Sequence, residues 1–170
     1  SKNSNPKDDA LFERLENSVE SMSDLLNSLL DVSKLDAHVI VPQSKHLFLT
    51  TLLEKLQGEL EPFAQAKDIR LIIACENKTV LADEILLEQV LNNLLSNAIR
   101  YTSSGNITLS AQSESGHIKI SVKDTGIGIA SDDQEAIFNE FHQIHNPERD
   151  QNKGLGLGLS IVKRLCALQR

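Results

Sequence analysis

Apolar and polar positions along the chain fall into blocks of different period. Leu11, Leu15, Met22, Leu25, Leu29 and Val32 recur at three- and four-residue steps, with Ser18 the one gap. That spacing predicts an amphipathic helix from about Asp9 to Ala37, behind a polar loop over residues 1–9. Its seam is narrow, as in a coiled coil or helical bundle, so a partner helix is expected, and nothing nearby in the chain supplies one. Extended chain with Pro42 ends the helix. A short strand at His46–Leu49 follows, then a helix capped by Thr50 or Thr51 and running to about Ala66. Residues 69–75 are β-branched and read as a strand, 79–82 as a short extended piece, and 84–99 as a helix. Residues 106–112 and 117–123 alternate apolar and polar, which predicts a β-hairpin exposed on one face. A helical stretch over 134–140, a charged segment over 145–153 and a helix from Leu157 complete the pattern.

Composition narrows the picture only a little. The chain has 170 residues, enough for one domain and an appendage, and its 40% hydrophobic content is aliphatic, since aromatics are 4%. A net charge of −7 argues against nucleic-acid binding. No apolar run is long enough to span a bilayer and no signal peptide is visible, so direct membrane contact is not expected and a reducing cytoplasm fits. Cys75 and Cys166 sit in apolar contexts without metal or redox spacing and are expected to be buried thiols.

Candidate chemistry lies on three segments. On the 84–99 helix, Gln89, Asn93, Asn97 and Tyr101 are four apart and form a polar line, with Arg100 one step aside. Asparagines are poor helix formers, so Asn92, Asn93 and Asn97 are a local cost. The line is either a solvated face or a set of hard, neutral oxygen ligands for Mg²⁺. Asp124-Thr-Gly-Ile-Gly-Ile129 starts where the hairpin's second strand ends. It is either a tight turn, or a carboxylate that accepts from an adenine amino group beside glycines that let backbone approach the base. Gly154, Gly156 and Gly158 alternate with Leu155 and Leu157 and open a helix, leaving backbone N–H groups available to phosphate oxygens. The spacing is neither a dinucleotide fingerprint nor a Walker A loop. Phe138 and Phe141 read as core, or as anchors for residues 142–153.

Together these segments resemble the catalytic domain of sensor histidine kinases, within the group that includes gyrase, Hsp90 and MutL ATPases. Residues 88–102 are similar to that family's N box, 124–128 to its first glycine box, 137–141 to its F box, and 154–162 to its second glycine box. The resemblance implies an α/β (α+β) two-layer sandwich, a mixed sheet with helices on one face, preceded by the long amphipathic helix. Residues 1–43 would be the loop and second helix of a dimerisation and phosphoacceptor hairpin, and 44–170 the ATP-binding domain. It further implies ATP and Mg²⁺ as cofactors, with Asn97 as metal ligand, Asn93 beside it, and Arg100 on phosphate. Tyr101 would lie along the nucleotide, Asp124 on adenine, and Gly126, Gly128 and Ile129 at the base pocket. Phe141 and the 154–158 loop would complete the site under a lid over 142–153. The implied function is transfer of the γ-phosphoryl group to a histidine and on to a response-regulator or receiver aspartate, in a homodimer formed by the hairpins. Gln143, where many members carry arginine, is similar to hybrid kinases.

Three departures accompany the resemblance. No histidine stands in the phosphoacceptor motif, so the chain is expected to begin after it. Leu155 replaces a small or hydroxylated residue. The family's last two strands are expected but absent after Arg170. A second reading is an ATP-hydrolysing switch of the gyrase or Hsp90 type, for which Glu88 is the nearest candidate to activate water.

Overall fold

A computed structural model describes residues 6–37, 39–76, 78–144 and 156–169. In chain order the elements are α1 (Pro6–Asp36), β1 (Lys45–Phe48), α2 (Leu49–Gln65), β2 (Ile69–Cys75) and β3 (Thr79–Ala82). Then come α3 (Glu84–Tyr101), β4 (Gly105–Glu114), β5 (His117–Asp124), two single-turn 3₁₀ pieces (Ser131–Asp133 and Ala136–Phe138) and α4 (Gly158–Leu168).

The sheet is mixed. β4 lies in the middle, parallel to β2 and antiparallel to β5, while β1 and β3 form a separate antiparallel pair. Alternation along β4 turns Ile107, Leu109 and Ala111 inward, and the register sets Val122 and Ile120 opposite the last two. α2 contributes Leu49, Leu52, Leu53 and Leu56 to this core, and α3 contributes Leu91, Leu95, Ala98 and Ile99. The same register pairs Asp124 with Ile107, which fixes that carboxylate at the strand's end.

A second apolar cluster lies on the other side of α3. Leu86 and Val90 cluster with Leu157 just before α4 and with Ile161, Val162 and Leu165 of α4, together with Leu35 from the end of α1. α4 is therefore the partner that the sequence pattern did not supply for α1, although only for its last turns. Leu15, Val19, Met22, Leu26, Leu29 and Leu30 remain exposed.

Several local expectations need correction. α1 begins at Pro6, three residues earlier than its apolar stripe suggests. Phe48, not a threonine, occupies the N-cap of α2, and no side chain caps it. The 134–140 helix is replaced by irregular chain around a single 3₁₀ turn at Ala136–Phe138. Phe138 is half-buried and Phe141 is 61% exposed, so this aromatic is not core. Cys75 is half-buried and Cys166 is exposed.

Candidate functional site

α3 owes its position to both of its ends. At its start the Asp83 carboxylate accepts from the N–H of Leu86 (3.1 Å) through Oδ1 and from Gln43 N–H (2.6 Å) through Oδ2. These bonds, the one from Gln43 foremost, hold its carboxyl below the usual aspartate range against the opposing effect of burial. At the far end Lys67 Nζ donates to the carbonyls of Ile99 (2.9 Å) and Arg100 (3.1 Å), a cation on the negative end of the helix dipole. Lys67 escapes the sequence pattern, because nothing in a turn lysine announces a contact 32 residues away.

Two asparagines of the polar line face α4. Asn93 Nδ2 donates back to the Gln89 carbonyl (2.9 Å), which leaves Oδ1 as the outward atom. A Cβ placed on Gly158 would lie 2.8 Å from that Oδ1 and 3.8 Å from Asn97 Nδ2. The amides thus stand against the start of α4, where successive backbone N–H groups are exposed by the helix end. Gln89 does not join them, since its Nε2 donates to Asp31 of α1 (2.6 Å). Arg100 is exposed on the last turn of α3, and Tyr101 is 41% exposed beside it.

The 124–129 turn closes on the same helix end. Asp124 Oδ1 accepts from Gly126 N–H (2.8 Å), and the residue as a whole is exposed. Ile127 N–H donates to the Tyr101 carbonyl (3.3 Å). Gly126 is required by space: a Cβ there would sit 2.4 Å from the Tyr101 carbonyl oxygen, 2.9 Å from Asp124 Oδ1 and 3.0 Å from Thr102 Oγ1. Thr125 Oγ1 accepts from Asn106 N–H (3.1 Å) and pins the turn to the start of β4. Thr102 is 1% exposed, and its hydroxyl has no hydrogen-bond partner among the described residues. Gly128 adopts φ +68 in open space, and Ile129 next to it is 43% exposed.

Gly156 stands across from the F-box segment. Its carbonyl accepts from Phe141 N–H (3.1 Å), its φ is +73, and a Cβ would meet the His142 carbonyl at 2.6 Å. Phe141 itself has φ +60, a left-handed backbone that an aromatic rarely adopts. Leu157 is 2% exposed in the second cluster, so only its backbone can face the site. Gly154, Leu155 and the expected lid from 145 onward lie outside the described residues.

Residues 82–170 match the family of histidine kinase-, DNA gyrase B- and HSP90-like ATPases. The chain belongs to that family. Membership carries ATP binding with it. Among relatives, the chain is 38% identical to the sensor histidine kinase GacS of Pseudomonas protegens, over 89% of this chain and 17% of that one. It is 35% identical to the sensor protein kinase PmrB of Pseudomonas aeruginosa, over 89% of this chain and 31% of that one. It therefore spans less than a third of either protein. Among solved structures, the histidine kinase AdeS of Acinetobacter baumannii superposes with a TM-score of 0.78 at 26% identity, covering 94% of this chain and 73% of that one. Full-length ShkA in complex with AMPPNP superposes with a TM-score of 0.82 at 32% identity, covering 96% and 34% respectively. Of these, GacS and AdeS carry the name histidine kinase and PmrB that of a sensor protein kinase. Among the described residues, no helix is long and apolar enough to cross a membrane.

Proposed function

We propose that the chain is the ATP-binding catalytic part of a two-component sensor histidine kinase. In this reading residues 44–170 hold Mg-ATP, and residues 1–43 belong to a dimerisation hairpin whose exposed stripe a second copy covers. The observation that carries it is the meeting of Asn93 and Asn97 with Gly158, and of Asp124 and Thr102 with Gly126 beside the C-terminal end of the same helix. Asp124 Oδ2 would accept from the adenine amino group. Ile129 and Tyr101 offer the apolar flanks, and Phe141 an exposed ring at the rim. The amides that open α4 from Gly156 to Gly158 would cradle phosphate oxygens, as would those of Gly154 and Leu155 before them.

The donor set suits Mg²⁺, which takes a few hard neutral oxygens and completes its shell from phosphates and water. Asn97, with Asn93 beside it, would hold the ion, whose charge would offset that of the triphosphate. Arg100 would add positive charge on the phosphates as the imidazole nitrogen forms its bond to the γ-phosphorus. The bond to the bridging oxygen breaks, and ADP leaves with the electron pair. The acceptor histidine and the response-regulator aspartate would lie on other chains or segments, since none of His38, His46, His117, His142 and His145 stands in an acceptor motif.

The gyrase-type reading needs a carboxylate free to activate water. Glu88 is instead paired with Lys55 of α2 at 2.7 Å, and that bond raises the lysine's pKa. Thermal melts with and without Mg-ATP test the kinase reading. A ligand that binds only the folded state stabilises by about 2.7 kcal/mol at a hundredfold excess over Kd. Wild type should gain that stabilisation and Asp124→Ala should not. No gain by well-folded wild type at millimolar Mg-ATP overturns the reading. Steady ATP hydrolysis lost in Glu88→Ala would transfer the assignment to the second class.

A further inference from the structure

The end of α1 carries two carboxylates, Asp31 and Asp36, and both are tied to the ATP-binding unit. Asp31 accepts from Gln89 Nε2 (2.6 Å), and the Gln89 carbonyl in turn accepts from Asn93, one turn further along α3. Asp36 accepts from Arg164 of α4, whose other arm donates to Glu140. Glu140 directly precedes Phe141, the residue with φ +60 whose N–H is bonded to Gly156. Beside these polar ties, Leu35 belongs to the apolar cluster that holds Ile161, Val162 and Leu165, and Val32 and Ile40 pack against that cluster. Each tie therefore ends within one residue or one helical turn of a group in the candidate site.

We propose that Arg164 is a positioning residue for the Phe141–Gly156 contact, and that Asp31 and Asp36 make nucleotide affinity depend on where α1 sits. The inference rests on the nucleotide site proposed above. A left-handed Phe141 persists only while its surroundings hold it. The guanidinium holds Glu140 from one side, and the fork geometry lets it engage Asp36 at the same time. The Asp36 arm is the weak one: its side chain is 63% exposed, against 34% for Glu140, and an exposed pair is readily exchanged for water. Displacement of α1 thus breaks the outer pair first and frees the guanidinium to move away from the turn. Coupling of this kind is reciprocal, so nucleotide must also hold α1 in place.

The test uses the whole 170-residue chain with Asp31→Asn/Asp36→Asn, Arg164→Gln and Arg164→Lys, and with Asp124→Ala as the site control. Mg-ATP affinity is measured by calorimetry, and amide exchange is followed over residues 30–37 with and without nucleotide. The expected result is a loss of affinity on the order of fivefold in the double variant and in Arg164→Gln. Arg164→Lys should recover only part of it, because one ammonium cannot fork between two carboxylates. Nucleotide should slow exchange over 30–37 in wild type and not in the double variant. A merely structural role would lower the melting point and leave affinity unchanged. Unaltered affinity in both variants, or exchange in α1 indifferent to nucleotide, overturns the inference while Asp124→Ala still abolishes binding. If wild type itself binds no nucleotide, the site reading fails and takes this inference with it.

Discussion

Gly126 shows how little tolerance single positions of the site have. A methyl group there would lie 2.4 Å from a backbone oxygen, not against a flexible side-chain tip. Gly126→Ala should therefore shift the 124–129 turn off the end of α3 and reduce Mg-ATP affinity at least tenfold by calorimetry, with the circular dichroism spectrum preserved. Asp83 makes the complementary case for stability. Its native pKa is lowered, so the stabilisation is present above the ordinary aspartate value of about 3.9 and is lost as pH falls through the native value. Asp83→Ala should cost about 1 kcal/mol at pH 7, the usual cost of losing an N-cap. That difference should shrink in acid, as chemical denaturation at pH 7 and below pH 4 would measure.

At the scale of elements, strands and helices of strict period were legible and short irregular pieces were not. β2 runs over the same residues as its β-branched block, because branched side chains suit a half-buried pleated surface. The asparagine line was legible as an oddity, but its spacing left a solvated face and a ligand set both open, and its contact with Gly158 appears only in the fold. The 3₁₀ turns at Ser131–Asp133 and Ala136–Phe138 have no such signature, since three residues cannot display a period. The N-cap of α2 misled because Phe48 starts that helix without any side-chain bond. The place of α1 was illegible for a different reason. Its stripe predicts some partner but cannot name one, and α4 lies more than a hundred residues away. Removing residues 1–38 should uncover the side of α4 that Leu35 covers. The shortened chain should melt at a lower temperature and bind a hydrophobic dye that the full chain binds less, as scanning fluorimetry would report.

At the scale of the molecule, α3 is the one element that contributes, among the described residues, to both apolar clusters: Leu91 and Leu95 on the sheet side, Leu86 and Val90 on the α4 side. Leu95 is fully buried, and Leu95→Ala should cost about 2–5 kcal/mol in urea unfolding, the range for emptying a core leucine site. An arrangement with one helix common to two cores need not melt as a single block. The α1–α4 half can loosen first while the α2–sheet half persists, and α3 should be the last segment to exchange its amides. A triphosphate whose base rests by Asp124 and whose tail reaches Gly158 would touch both halves. Its arrival should fuse two overlapping calorimetric transitions into one.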